Sequence, residues 1–398
     1  MHHSMSVTEI MSWILGILVT SSLIFWIGLG FRLWSMLRTK PSIREGLSLP
    51  NPKGKSVSIV IPAHNEERVI DRCAASLRNQ SHDNTQIIFV LDRCTDRTLE
   101  ILQKHADADE RISIIENDYC PDGWAGKCNA ARLGAAKATG EWLLFTDADT
   151  KFDKELVQCA VASAIKRNAT LLSILSTLTI TKTFERIVQP IASVFLVRHY
   201  PVDRVNREHR PRSFANGQFL LFSRDAYEEI GGHEAVKEFL LEDIAFAKTI
   251  SRNTDGRVQL LFADGMLKCS MYPTFTAFRT GWKRIYIESH NRKIKHLKVS
   301  AYTALIVGLF LPFLAISGII FGIVGSPSLL WTSIATVTAL LFVTGWLYKI
   351  NGAPFVFVVF SPIGSIVVAW ILFGAASMLR NRKPILWGGR EYILEPRT

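Results

Sequence analysis

Asp147 and Asp149 stand one residue apart at the end of a short apolar run, Trp142 to Phe145, within the stretch GEWLLFTDADTKF. The run has the length and composition of a strand. Alternate residues of an extended segment point the same way, so the two carboxylates can converge on one hard cation. Ligands of open α/β sheets bind at the carboxyl ends of strands, which is where this pair is delivered. For so common a tripeptide the alternative is a solvated acidic turn.

Three further polar stretches follow strand-like or glycine-rich segments. In the first, Pro62, Ala63, His64, Asn65, Glu66 and Glu67 follow Ile59-Val60-Ile61. Backbone amides where such a turn enters a helix suit a phosphate or a nucleotide edge. Glu66 and Glu67 equally suit the first turn of a helix, where its dipole favours anions. In the second, Asp92 ends Val90-Leu91 and can accept hydrogen bonds from a base or ribose, while Asp96 is predicted to cap the next helix. The third is Gly123-Trp124-Ala125-Gly126-Lys127-Cys128-Asn129-Ala130. Its glycines let backbone approach a ligand, and Lys127 offers a point charge for phosphate. The pattern lacks the GxxxxGK[ST] spacing, which excludes an ordinary P-loop and leaves a plain glycine turn as the alternative.

The elements that must position these residues read as strands and helices in alternation. Val57 to Ile61, Ile87 to Leu91 and Ile112 to Glu116 are predicted strands. Helical spacing covers Glu66 to Gln80, Asp96 to Ala106 and Lys127 to Ala138. This alternation predicts a mostly parallel sheet with helices on both faces, an α/β domain of nucleotide-binding type. Downstream, Leu171 to Ile180 is β-rich and Phe219 to Phe222 is another strand, followed by a helix from Asp225 to Gly231-Gly232. Ile187 to Val197 is apolar but too short to span a membrane, and Pro190 interrupts it; it reads as a core or interfacial helix. Arg198 to Arg212 reads as a basic, mobile loop.

Residues 11–36 contain one charge, Arg32, and are long enough to cross a hydrocarbon core of about 30 Å. They lack the positive n-region and small-residue cleavage site of a signal peptide, which predicts an uncleaved anchor. Lys and Arg are absent before this segment and follow it at Arg38, Lys40 and Arg44, so the rest of the chain is placed in the cytoplasm. Residues 301–379 hold three more apolar blocks, whose sole charge is Lys349. Three complete crossings would put the basic tail outside, against its charge, unless one block is re-entrant or interfacial. The predicted organisation is an anchor (1–40), a Pro/Gly linker (41–55), the α/β domain (56–278), a basic juxtamembrane segment (279–300), about three membrane helices (301–379) and a tail (380–398).

The 398 residues carry a formal charge of +11, concentrated beside the apolar blocks. That distribution suits an anionic lipid surface, and no zinc-finger, homeodomain or RNP pattern points to nucleic acid. The six cysteines form no CxxC pair and read as free thiols in a reducing compartment.

Taken in order, PAHNEE, LDRCTDRT, GWAGKCNA and TDAD resemble the family-two glycosyltransferases with a GT-A fold. Asn216-Gly217-Gln218-Phe219, Gly231-Gly232-His233 and Leu241-Glu242-Asp243 are similar to that family's acceptor region and ED motif. The anchor, the C-terminal blocks and the tail Trp387-Gly388-Gly389-Arg390-Glu391-Tyr392 resemble a narrower group, the membrane glycosyltransferases of carotenoid and hopanoid pathways.

The resemblance implies a nucleotide-sugar donor, with UDP-glucose the expected one, and a membrane lipid acceptor. It implies that Pro62, Ala63, Asn65, Glu66, Asp92, Lys127, Asn129 and Asp147 bind the donor. Asp147 and Asp149 would hold Mg²⁺ or Mn²⁺ against the diphosphate, Asp243 would be the catalytic base beside Glu242, and Gly217 and Gln218 would face the sugar or acceptor. Leu91 stands where the family usually has an acidic or amide residue. Sugar transfer needs a cation at the leaving diphosphate and a base for the acceptor hydroxyl, and direct displacement inverts the anomeric centre without a second nucleophilic carboxylate. Phe278-Arg279-Thr280-Gly281-Trp282 departs from the QxxRW signature of processive synthases. Trp282 is left to pack beside an acceptor or to anchor at the interface.

Overall fold

The computed structural model describes residues 7–38, 40–207, 212–253 and 256–397. Its strands are β1 (Val57–Ala63), β2 (Thr85–Asp92), β3 (Ile112–Asn117), β4 (Trp142–Phe145), β5 (Thr150–Phe152), β6 (Leu171–Leu175), β7 (Thr177–Leu178), β8 (Leu220–Ser223), β9 (Val258–Phe262), β10 (Leu267–Cys269), β11 (Ile385–Trp387) and β12 (Arg390–Tyr392). An N-terminal helix, α1 (Val7–Arg38), precedes the helices of the α/β region, α2 (Ile70–Arg78), α3 (Thr98–Ala106), α4 (Gly126–Lys137), α5 (Leu156–Lys166), α6 (Thr183–His199), α7 (Val202–Val205), α8 (Arg224–Glu229), α9 (Glu242–Asn253) and α10 (Phe275–Ser289). Then come α11 (Ile294–Leu305), α12 (Leu311–Gly325), α13 (Pro327–Ile350) and α14 (Ser361–Arg380).

A seven-stranded sheet in the order β3-β2-β1-β4-β8-β6-β9 forms the centre. The β-branched runs of β1 and β2 are buried on both faces, as a covered parallel sheet requires. Ile59, Ile61, Phe89 and Leu91 pack toward α2, α3 and α5, while Val60, Val90 and Phe145 pack toward α4 and α9. This is the mostly parallel α/β sheet with helices on both faces predicted from the alternation of elements. One strand is reversed: β8 runs antiparallel to both β4 and β6, with Phe145 opposite Leu220. Because β8 starts where β4 ends, the chain just before it, Gly217-Gln218, lies beside the carboxyl end of β4.

Several predicted boundaries move for identifiable reasons. The helix expected from Glu66 begins at Ile70, because Asn65 takes a left-handed conformation (φ 56°). Residues 64–69 instead form a turn in which the Glu66 and Glu67 amides donate to Thr98 Oγ1 and Asp96 Oδ2. Asp96 also accepts from the amide of Thr98, the first residue of α3, at 3.0 Å, although the N-cap position expected for it is taken by Arg97. The apolar stretch around Pro190 is one 17-residue helix, α6, whose Val188, Ala192 and Phe195 are buried. The segment read as a mobile loop holds α7, with Tyr200, Val202 and Val205 in the core; residues 208–211 lie outside the described residues.

Among the described residues four helical segments are long and apolar enough to cross a membrane: 9–38, 294–325, 327–350 and 355–380. The second and third form a hairpin about Ser326, and α1 packs along both, with Val19 near Gly318 and Val343 near Gly30. The helix α14 is placed differently. It packs on α6, α10 and α11, close to Ile187 near its start and to Lys283 further along. After α14 the tail folds as the β11–β12 hairpin and returns to the α/β domain.

Candidate active site

The carboxyl ends of β1, β2 and β4, the loop before β8 and the start of α9 surround a cavity of about 470 Å³. The Asp147–Asp149 turn is pinned from below by threonines. Thr146 Oγ1 donates to the Gln218 carbonyl at 2.7 Å and Thr150 Oγ1 to the Asp147 carbonyl at 2.7 Å. Lys127, one residue into α4, bridges two acids: its Nζ lies 2.6 Å from Asp147 Oδ1 and 2.6 Å from Glu242 Oε1. Burial opposes its charge, but Asp147 and Glu242 outweigh burial and hold the ammonium above its ordinary range.

Asp243 is buried at the start of α9. Its Oδ2 accepts from the Gly217 amide at 2.7 Å and its Oδ1 from its neighbour's amide, Ile244, at 2.7 Å. Burial, with the charge of Glu242 adding to it, raises its pKa to about 7 against the opposing pull of Lys127 and the two amides. A carboxylate so tuned is matched to proton abstraction near neutral pH. Glu66, facing Asp149 and Asp147, is raised to about 8, chiefly by burial.

Asp149 is raised to about 7 by burial and then by Asp147, and its Oδ1 is buried without any hydrogen-bond partner. An orphaned carboxylate oxygen beside a second carboxylate fits a divalent cation. Among the described residues no group of three or more His, Cys, Asp or Glu side chains is arranged to hold one. The pair therefore fits a cation that takes its remaining ligands from phosphate oxygens and water, the usual situation of Mg²⁺ at phosphate sites.

Pro62, Ala63, Glu66, Asp92, Lys127, Asp147, Asp149, Gly217, Gln218, Glu242 and Asp243 all line the cavity. The Asp92 carboxylate is engaged by protein, accepting from Arg93 Nη2 at 2.6 Å and Asn117 Nδ2 at 3.0 Å. Three expected site residues are not in the cavity wall. Asn65 ties the first two loops together through Thr95, whose amide it accepts at 2.8 Å. Asn129 is buried in α4 and donates to the Tyr119 carbonyl at 3.3 Å. Trp282 neither lines the cavity nor is exposed as an interfacial anchor: it is buried on α10 against α6, its Nε1 donating to Gln189 Oε1 at 3.3 Å. Its flat apolar ring is better satisfied in that core than at a surface.

The cavity wall also contains His64, Tyr272, Arg284, Trp387 and Tyr392, which sequence reasoning did not assign to it. For the tail, the signal was the pair Gly388-Gly389, both at positive φ in the tight turn of the hairpin. Arg284 lay hidden in a run of cations read as a membrane flank.

Gly217 is a point of close approach. A Cβ there would lie 3.2 Å from Asp243 Oδ2 and 3.2 Å from Lys127 Nζ. Gly217→Ala is therefore expected to lower kcat/KM by roughly ten- to a hundredfold through displacement of reacting groups, with a melting temperature close to the parent's. Steady-state kinetics with parallel thermal melts checks this; full activity would show that the crowding is relieved without cost.

Residues 58–231 match the family Glycosyl transferase family 2. A 4,4'-diaponeurosporenoate glycosyltransferase of Staphylococcus haemolyticus is 24% identical over 233 residues, 58% of this chain and 60% of that protein. An uncharacterized glycosyltransferase of Haemophilus influenzae is 36% identical over 93 residues, 23% of this chain and 28% of that protein. The chain thus spans less than two thirds of the length of these relatives. A mannosyltransferase from Pyrobaculum calidifontis, solved with GDP-Man and Mn2+, aligns over 92% of this chain and 98% of its own at 16% identity, with a TM-score of 0.49. Residues 58–231 are thus similar to glycosyl transferase family 2, and over 58% of its length the chain resembles a 4,4'-diaponeurosporenoate glycosyltransferase.

Proposed function

We propose that the protein is a membrane-anchored, metal-dependent, inverting glycosyltransferase. It moves one sugar from a nucleotide donor, UDP-glucose in the first instance, to a hydroxyl or carboxyl of an isoprenoid lipid. The observation that carries this reading is one cavity lined by two unlike sets of residues. Asp147, Asp149, Lys127, Glu242 and Asp243 line it together with the apolar Leu196, Phe214, Leu240 and Ile285.

Asp147 and Asp149 would hold the divalent cation, which when bound neutralises charge on the leaving diphosphate. Asp243 takes the proton from the acceptor oxygen as that oxygen bonds to the anomeric carbon. The bond from that carbon to the diphosphate oxygen breaks, and the nucleoside diphosphate departs with the bonding pair. Lys127 holds Glu242 and Asp147 at fixed separation, so donor and base stay in register. The apolar lining residues exclude water, which would otherwise compete as acceptor.

For the membrane, the reading takes α1 and the α12–α13 hairpin as the crossing elements. It takes α14, with Ile363, Ile366 and Trp370 exposed and its other face on α6, α10 and α11, as lying along the cytoplasmic surface. An even number of crossings after the catalytic domain then leaves the basic tail on the catalytic side, in accord with its charge.

The test is incubation of membranes containing the protein with labelled nucleotide sugars and extracted lipids. One sugar per lipid molecule supports the reading. A growing chain would favour a processive polysaccharide or polyprenyl-phosphate enzyme, and UDP binding without metal-dependent turnover would favour a non-catalytic scaffold.

A further inference from the structure

The wall of the cavity contributed by α10 and the tail holds a cation that the reaction described above does not use. Arg284 Nε and Nη1 are both buried and have no hydrogen-bond partner, and no carboxylate among the described residues pairs with the side chain. Its guanidinium is stacked 4.1 Å over the ring of Trp387. Two buried guanidinium nitrogens left without partners on a half-buried side chain are costly, which points to a partner supplied from outside the chain.

A second orphan stands nearby. The Tyr272 hydroxyl is buried without a partner and wedged against Gly281, where a Cβ would lie 2.6 Å from it. The Ser270 amide, two residues before Tyr272, donates to the Asp149 carbonyl at 3.3 Å, and Tyr272, Arg284, Asp147 and Asp149 line the same cavity, so the two orphans share that cavity with the aspartate pair. There the charge balance is one-sided. Lys127 is already held by Asp147 and Glu242, which leaves Arg284 as the cation with free donors.

Trp387, on which Arg284 rests, is itself fixed from the nucleotide side. Arg93 Nη2 donates to the Gly388 carbonyl at 3.0 Å, and the Gly126 amide donates to Tyr392 Oη at 3.1 Å. The hairpin thus reaches back past the membrane helices to orient a guanidinium from behind. Such a planar fork is suited to two oxygens of one oxyanion, and stacking restrains it in the plane needed.

We propose that Arg284 and the Tyr272 hydroxyl, backed by Trp387 of the tail hairpin, form an anion subsite for the phosphate oxygens of the departing nucleoside diphosphate. The proposal rests on the glycosyl-transfer reading. Trp387 is a positioning residue here, acting through Arg284. A carboxylate on the lipid acceptor has the same oxyanion chemistry, but the cavity shared with the aspartate pair favours the diphosphate.

The experiment is calorimetric titration of the full chain in detergent, with Mn²⁺ present, using UDP and, separately, uridine. Arg284→Ala is expected to weaken UDP binding at least tenfold and to leave uridine unchanged. Arg284→Lys should weaken UDP by a smaller factor, because the charge stays but the fork is lost, and Trp387→Ala should fall between them. Tyr272→Phe, which removes only the hydroxyl, serves if the alanine variant melts early. Unchanged UDP affinity in Arg284→Lys, Arg284→Ala and Tyr272→Phe would overturn the subsite. So would a defect confined to discrimination between carboxylate and hydroxyl acceptors, which would assign Arg284 to the lipid. A parent chain that binds neither UDP nor GDP would instead sink the glycosyl-transfer reading itself.

Discussion

Asp243→Asn is expected to lower kcat by about two to four orders of magnitude, the usual contribution of a positioned general base. The substitution keeps the shape of the side chain but removes its capacity to take a proton. It also turns one acceptor into a donor between two backbone amides, Gly217 and Ile244, that both need an acceptor. One of those amides is left unsatisfied, which costs about 1–3 kcal/mol of stability. Kinetics should accordingly be measured on protein shown folded by its melting curve.

The pH profile bears on the chemical role when it is taken at saturating Mn²⁺ and compared with Asp243→Asn, because burial also raises Asp149 to about 7. Because burial and Glu242 raise Asp243 to about 7, the carboxylate form dominates only above that pH. The kcat/KM of the parent is therefore expected to fall about tenfold per unit as pH drops below 7, with little change above it. Residual activity in Asp243→Asn should lack that limb. A parent profile flat from pH 5 to 8 would contradict the assignment of Asp243 as the base.

Asp149→Asn carries the second large effect. Transfer should fall by at least about a hundredfold, the scale on which removing one electrostatic contact to a transition state is felt. Stability should move the other way or not at all. In the metal-free protein Asp149 buries a carboxylate oxygen without a partner, beside the like charge of Asp147. Neutralising it relieves a burden that serves only the ligand, a common pattern at functional sites. The rise in melting temperature that Mn²⁺ and UDP together give the parent should shrink sharply in the variant. A variant that melts much lower without metal, yet keeps the full ligand-induced rise, would make Asp149 a structural residue.

What was readable in the sequence followed from periodicity and from carboxylates at strand ends. The β-branched runs of β1 and β2 and the alanine-rich α4 declared themselves because each has one dominant environment, a covered sheet face. Asp147, Asp149 and Lys127 were legible because glycine, lysine and aspartate at strand and helix ends have few other uses together. Trp282 and Asn129 were misplaced because an aromatic or amide side chain in a helix carries no mark of which way it faces. Asn65 was assigned to the ligand, yet its left-handed backbone and its bond to Thr95 make it a brace between loops.

The least legible part was the wall built by Tyr272, Arg284 and Trp387. These residues come together only because α14 packs along α6 and α10 and sends the tail back to the domain. Local pattern holds no record of a contact between residue 93 and residue 388. The same return keeps the tail at the α/β domain after the apolar helix α14.

The central claim is direct displacement at the anomeric carbon, with Asp243 as the base. The most direct test is the anomeric configuration of the glycolipid made from an α-linked nucleotide sugar, read from the coupling of its anomeric proton by NMR. The account predicts a β-linked product, inverted relative to the donor. An α-linked product, formed with retention, would contradict it.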